Sequence, residues 1–146
     1  MNARGTPARR RAPLGLRDHV LLAEALAALA VASLAIRLLP FRRIAAFAAR
    51  APRRPAHASV NPARLRWAVR AWARRVPWKA VCFQNALAMQ AMLRRRGIAS
   101  VLHYGIGRED GLKAHVWLSV GGAIVIGGDE APRFVEIAAF PASPAA

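Results

Sequence analysis

The feature that most limits what this chain can fold into is a change of hydrophobic period at Gly97. Before it, apolar residues recur at helical spacing, and after it they alternate. Over residues 82–96, Phe83, Ala86, Leu87, Met89 and Leu93 form an apolar side, with Gln84, Asn85 and Gln90 interleaved. Arg94-Arg95-Arg96 falls in the last turn, where the helix dipole favours cations, and Gly97 is the residue type expected at a helix stop. Residues 98–106 then read as a strand, 107–111 as a turn and 114–120 as a second strand. Gly121-Gly122 reads as a tight hairpin turn and 123–126 as a third strand. Gly127-Gly128-Asp129-Glu130 opens a loop, and a short apolar segment, 134–140, precedes a Pro/Ala tail. Helices first and an antiparallel meander after them make an α+β layout.

The front half is helical and basic. Asn61-Pro62 suits a helix start, since Asn caps and Pro fits the first turn. A helix over residues 62–75 follows, ended by Pro77. Residues 51–59, with Pro52, Arg53, Arg54 and Pro55, read as a linker. Upstream, Asp18 can cap a helix whose apolar stretch, 20–39, is broken only by Glu24, Ser33 and Arg37 and is stopped by Pro40. Its uninterrupted apolar parts are short, 25–32 and 34–36, which argues against a membrane anchor. Leu21, Ala25, Ala28, Ala32 and Ile36 share one face, so a buried or partner-facing helix is expected, with peripheral membrane contact as the competing reading. The chain thus divides into a basic disordered tail (1–17), an N-terminal helical region with a linker (18–60) and a core (61–146).

Charge separates the two halves. Lys plus Arg number 23 against 7 acids, and Asp18 and Glu24 are the only acids among the first 80 residues. Such an excess suits an anionic partner, or simply solvated helix faces. Aromatic residues are few and no nucleic-acid reader motif is present, so nucleic-acid binding ranks low. The single cysteine excludes an intrachain disulfide and a cysteine-rich zinc site, and it is compatible with a reducing cytosol.

Cys82 falls in the first turn of its helix, where unpaired amides and the dipole favour a thiolate nucleophile; a small buried core residue is the competing reading. His19, in the front helix, and His57, in the linker, read as solvent-facing. His115, at the start of the second strand, can be presented to the thiol as a general base, and His103 is the other strand histidine. A third group must orient the imidazole. The 115–126 hairpin brings Asp129 beside His115 by register, with Glu130 as the alternate and a turn-capping loop acid as the bland reading of Asp129.

Taken together, Trp67-Ala68-Val69-Arg70, Arg75-Val76-Pro77-Trp78, Cys82-Phe83-Gln84-Asn85-Ala86-Leu87-Ala88 and Leu93-Arg94-Arg95-Arg96-Gly97-Ile98 resemble the lasso peptide biosynthesis B proteins, a transglutaminase-like family. His103-Tyr104-Gly105-Ile106-Gly107 and Ala114-His115-Val116-Trp117-Leu118 continue the likeness, which spans about residues 65–140, and Leu38-Leu39-Pro40-Phe41-Arg42-Arg43 matches the usual N-terminal part. The resemblance implies a transglutaminase-like (papain-like) core, with the Cys-bearing helix packed on an antiparallel sheet. It implies a cytoplasmic cysteine peptidase, without cofactor or metal, that cuts the leader from a lasso precursor through a Cys82–His115–Asp129 triad. Residues 1–60 read as helix and linker, not as a fused winged-helix recognition domain. The implied form is therefore the standalone peptidase, whose partners are the precursor, a separate leader-recognition protein and the macrolactam synthetase.

Overall fold

The computed structural model describes residues 12–57, 59–109 and 111–141. Of the basic tail expected over 1–17, residues 1–11 lie outside the described residues, and by Leu16 the chain is already helical. Helix α1 spans Leu16–Leu38, starting two residues before Asp18. Asp18 therefore acts from inside the helix: its carboxylate accepts the N–H of Gly15, the N-cap residue, at 3.0 Å.

Pro40 ends that helix and is also the N-cap of a second one, α2 (Phe41–Ala48), which the sequence reading did not anticipate. Its Ile44 and Ala48 are buried, and the Phe41 ring meets Phe83, Tyr104 and Phe140 at centroid distances of 6.2, 5.9 and 6.2 Å. Helix α3 (Pro62–Ala73) begins as expected, with the Asn61 side-chain oxygen accepting the Ala63 N–H at 2.9 Å.

Helix α4 (Cys82–Arg95) is the spine of the domain, packing against α1, α3 and the sheet. Its buried Gln90 donates to the Ala48 carbonyl at 3.1 Å, satisfying a polar group on the inner face and fixing the end of α2. Arg96 donates to Glu24 of α1 at 2.6 and 2.8 Å, joining the two helices. Gly97 has φ +75, and a Cβ there would sit 2.3 Å from the Pro55 carbonyl oxygen, so the expected linker lies directly on the end of α4.

The four strands are β1 (Val101–Gly107), β2 (Lys113–Val120), β3 (Ala123–Ile126) and β4 (Val135–Phe140). Their spatial order is β3-β2-β1-β4, and every pairing is antiparallel. The three-stranded meander is as expected. The final apolar segment becomes a strand on the far edge of β1, reached through a short 3₁₀ turn (Ala131–Arg133). Leu102, Val116, Leu118 and Ile126 face the buried Met89, Met92 and Leu93 of α4 in one cluster that also takes in Leu21, Ala25 and Leu29 of α1. Each fully buried Leu contributes on the order of 2 kcal/mol by area, so α1 is a large part of the core. One apolar cluster includes residues on both sides of residue 60.

Candidate active site

Cys82 is the first residue of α4. Val81, the N-cap, has extended backbone (φ −89, ψ 179), and its own N–H donates to Gln84 Oε1 at 3.2 Å. The first helical hydrogen bond runs from Asn85 N–H to the Val81 carbonyl at 3.2 Å. The amides of Cys82, Phe83 and Gln84 therefore have no partner four residues back, at the helix end that carries the half-buried thiol. Free amides at such an end can receive the charge developing on an attacked carbonyl oxygen.

The thiol opens into a cleft of about 600 Å³ that also receives Arg70, Asn85, His115, Gly127, Asp129 and Glu130. Four elements contribute to it: the N-terminal end of α4, the start of β2, the loop after β3 and, through Arg70, α3. His115 is 6% exposed, with the Phe134 ring at 5.0 Å and the Trp117 ring at 5.9 Å. Its Nε2 lies 2.8 Å from the Gly127 carbonyl oxygen. A carbonyl only accepts, so the proton resides on Nε2 and Nδ1 keeps its lone pair for use as a base. Gly127 makes this possible. Its φ is +81, and a Cβ would come within 2.8 Å of the Val116 carbonyl oxygen. Among the described residues no hydrogen bond joins the Cys82 thiol to His115. The pair shares the cleft, and contacts of this kind tighten when substrate enters.

The third expected member is placed differently. Continuing the Leu118↔Ile126 pairing by three residues along each strand sets residue 129 opposite residue 115, as the register argument required. The chain turns at Gly127, however, and the Asp129 carboxylate meets Arg70 at 3.2 Å with its side chain 87% exposed. The carboxylate nearest the imidazole is Glu130, whose Oε2 lies 3.9 Å from His115 Nδ1. The Nε2 side of the ring is thus held by the Gly127 carbonyl, with Glu130 the nearest carboxylate on the Nδ1 side.

The other histidines are engaged elsewhere. His103 is fixed between Glu136 and Ser119, at 2.7 Å each, and stacks on Trp117. His19 contacts the Gly15 carbonyl of its own helix start at 2.9 Å, and His57 donates its backbone N–H to Arg96. Among the described residues, no three His, Cys, Asp or Glu side chains gather in a way that would hold a metal ion. Sequence reasoning missed Arg70, Asn85 and the anchoring role of Gly127. Asn85 lies one turn along α4 from Cys82, and its buried Oδ1 has no partner. The spacing of three residues on one helix was the available signal for it.

The family model described as the Transglutaminase-like superfamily matches residues 25–139, from within α1 to within β4. Neither the curated proteins nor the solved structures gave a match.

Proposed function

The chain belongs to the transglutaminase-like superfamily, which includes cysteine peptidases and acyl transferases, and on that premise we propose that it is a cysteine peptidase removing the leader from a lasso peptide precursor. The observation that carries the peptidase reading is the cleft itself. It joins a thiol at a helix N-terminus to an imidazole whose Nε2–H is tied to Gly127, leaving Nδ1 as the base. The likeness of the Cys82, His103 and His115 segments to lasso peptide B proteins supports the choice of substrate.

In this reading His115 Nδ1 takes the thiol proton and the Cys82 sulfur bonds to the scissile carbonyl carbon. The oxygen's developing charge faces the free amides at the start of α4. The C–N bond breaks as His115 returns the proton to the leaving nitrogen, freeing the core's N-terminal amine. Water, deprotonated by His115, then cleaves the thioester, and the leader departs as a carboxylate. The precursor arrives with a separate leader-recognition protein, and the freed amine passes to the macrolactam synthetase. In this reading the Gly127 carbonyl takes the ring-orienting place of the triad's third member, and Glu130 is the nearer of the two candidate acids, Asp129 and Glu130, to the imidazole.

Incubation of the full chain with precursor and leader-recognition protein, read by mass spectrometry, tests the proposal. Cleavage with gain of one water, abolished in a folded Cys82→Ala variant, is the expected result. An amine adduct in place of water assigns acyl transfer instead, and undiminished cleavage by Cys82→Ala rejects the thiol mechanism and leaves a non-catalytic adaptor.

A further inference from the structure

Helix α1 has a second face that the core does not use. Val20, Ala27, Val31, Leu34 and Leu38 follow one another at helical spacing, and Val20, Val31, Leu34 and Leu38 are 61, 67, 57 and 70% exposed. Single exposed aliphatics are ordinary, but a continuous ridge about 27 Å long is not. The helix has a mean hydropathy of 2.1 over its most apolar window, of which only 22% is buried. Its inward face (Leu21, Ala25, Leu29) is fixed in the core, so α1 stays laid along the domain.

Val20, Ala27 and Val31 of the ridge also form one wall of an apolar groove of about 990 Å³ between α1, α2 and α4, floored by Ala28, Ile44 and Met92 and edged by Arg43, Arg50 and Arg95. A second cavity of about 730 Å³ shares Arg50 and Arg95 with it and adds Arg53, Arg54, Arg94 and Arg96. Glu24 is the one acid lining this cavity, and it is already paired with Arg96 and Arg95. Asp18, the other acid of the front half, is paired with Arg64. Arg94 has a buried Nη1 without a partner, and burial first, then the nearby Arg50 charge, pushes its guanidinium below the ordinary arginine value. Among the described residues Arg50, Arg53, Arg54 and Arg94 have no carboxylate partner, so positive charge collects here beyond what Glu24 neutralises.

We propose that this face docks onto an anionic phospholipid bilayer, the α1 ridge entering the headgroup–acyl boundary while the arginine cavity takes lipid phosphates and the groove takes acyl carbon. An acidic peptide seated in the cavity and groove would cover Val20, Ala27 and Val31 but leave Leu34 and Leu38 in water, whereas a bilayer surface covers the whole ridge, which is why the membrane is the better occupant. The cleft lies at the other end of α4. Cys82 and Arg95 are thirteen residues apart in that helix, about 20 Å, so docking leaves the thiol accessible.

The test is flotation of the full chain with vesicles of phosphatidylcholine alone or mixed with phosphatidylglycerol. Binding should be at least about tenfold stronger to the anionic vesicles and should fall with salt. An arginine at such a surface is worth about fivefold, so Arg50→Gln/Arg53→Gln/Arg54→Gln should lose on the order of a hundredfold. Val31→Ser/Leu34→Ser/Leu38→Ser, all at exposed positions, should lose binding at an unchanged melting temperature, whereas Leu112→Ser, 75% exposed on the β1–β2 turn, should not. Equal binding to both vesicles or full binding by the serine variant would overturn the proposal. So would capture of poly-glutamate without any flotation, which would assign the face to an acidic peptide.

Discussion

Replacing Gly127 by alanine tests whether a backbone carbonyl, and not a carboxylate, holds the catalytic imidazole. Two costs add. The residue sits at φ +81, where an L side chain costs about 1–2 kcal/mol. Its Cβ would also lie 2.8 Å from the Val116 oxygen and 3.0 Å from Trp117 Cα, both backbone atoms that do not yield easily. Overpacking of that kind costs about 1–3 kcal/mol, giving a total near 3 kcal/mol and a melting temperature lower by roughly 10 °C. Gly121→Ala is the matched control. Its φ is +56, but nothing lies within 4 Å of the added Cβ, so only the backbone cost applies. The functional difference should be larger than the stability difference. Relief of the Val116 clash moves the Gly127 carbonyl that fixes His115 Nε2, and a displacement near 1 Å at a general base costs on the order of a hundredfold in kcat. Thermal melts, leader-cleavage rates measured well below the melting temperature, and iodoacetamide alkylation of Cys82 together read both effects. If Gly127→Ala and Gly121→Ala lose equal stability and both cleave at the parental rate, the carbonyl anchor is not what positions His115.

Two further outcomes are expected at the same cleft. Glu130→Gln should lower kcat by about tenfold or more with little change in KM, while Asp129→Asn, which breaks only an exposed pair with Arg70, should stay within a fewfold of parental activity and about 0.5 kcal/mol of parental stability; the reverse pattern gives the third catalytic position to Asp129. Asn85→Leu should raise stability by about 1 kcal/mol, because it removes a buried acceptor without a partner, yet should raise KM for the precursor, because that oxygen is available to a substrate N–H; a variant that is both less stable and fully active contradicts this.

The parts of this fold that can be read from the chain are those whose partners are close in sequence. Residues 82–95 show their helical period, Gly97 and the arginines before it mark the end, and Gly121-Gly122 fixes the β2–β3 hairpin with both residues at positive φ. Helix α2 cannot be read this way. It has eight residues, two of them arginines in its first turn, and the value of Phe41 lies in Phe83, Tyr104 and Phe140, all far along the chain. The far-edge position of β4 is hidden for the same reason, since a meander rule places each strand beside its predecessor. Within the site, Cys82 and His115 are legible by type and placement. Asp129 shares the cleft as register suggests, but the left-handed turn at Gly127 directs its carboxylate toward Arg70, which strand-pairing arithmetic does not read.

The direction of α4 decides which of its ends can do chemistry. At the N-terminal end, beside Cys82, amides without helical partners and the positive pole of the dipole are suited to the oxyanion of an attacked carbonyl. At the other end carbonyls project, and Arg94, Arg95 and Arg96 answer them, but they exceed what that pole requires. Arg96 is taken by Glu24, and Arg94 reaches the Ala48 carbonyl at 3.3 Å with one of its nitrogens. The remaining cationic capacity, joined by Arg50, Arg53 and Arg54 from the segment after α2, faces outward into a cavity whose only carboxylate is already engaged. A helix needing only to end would not require six guanidinium groups around its last turn. The excess therefore points to something outside the fold, on the side of the domain where α1 leaves its aliphatic ridge uncovered.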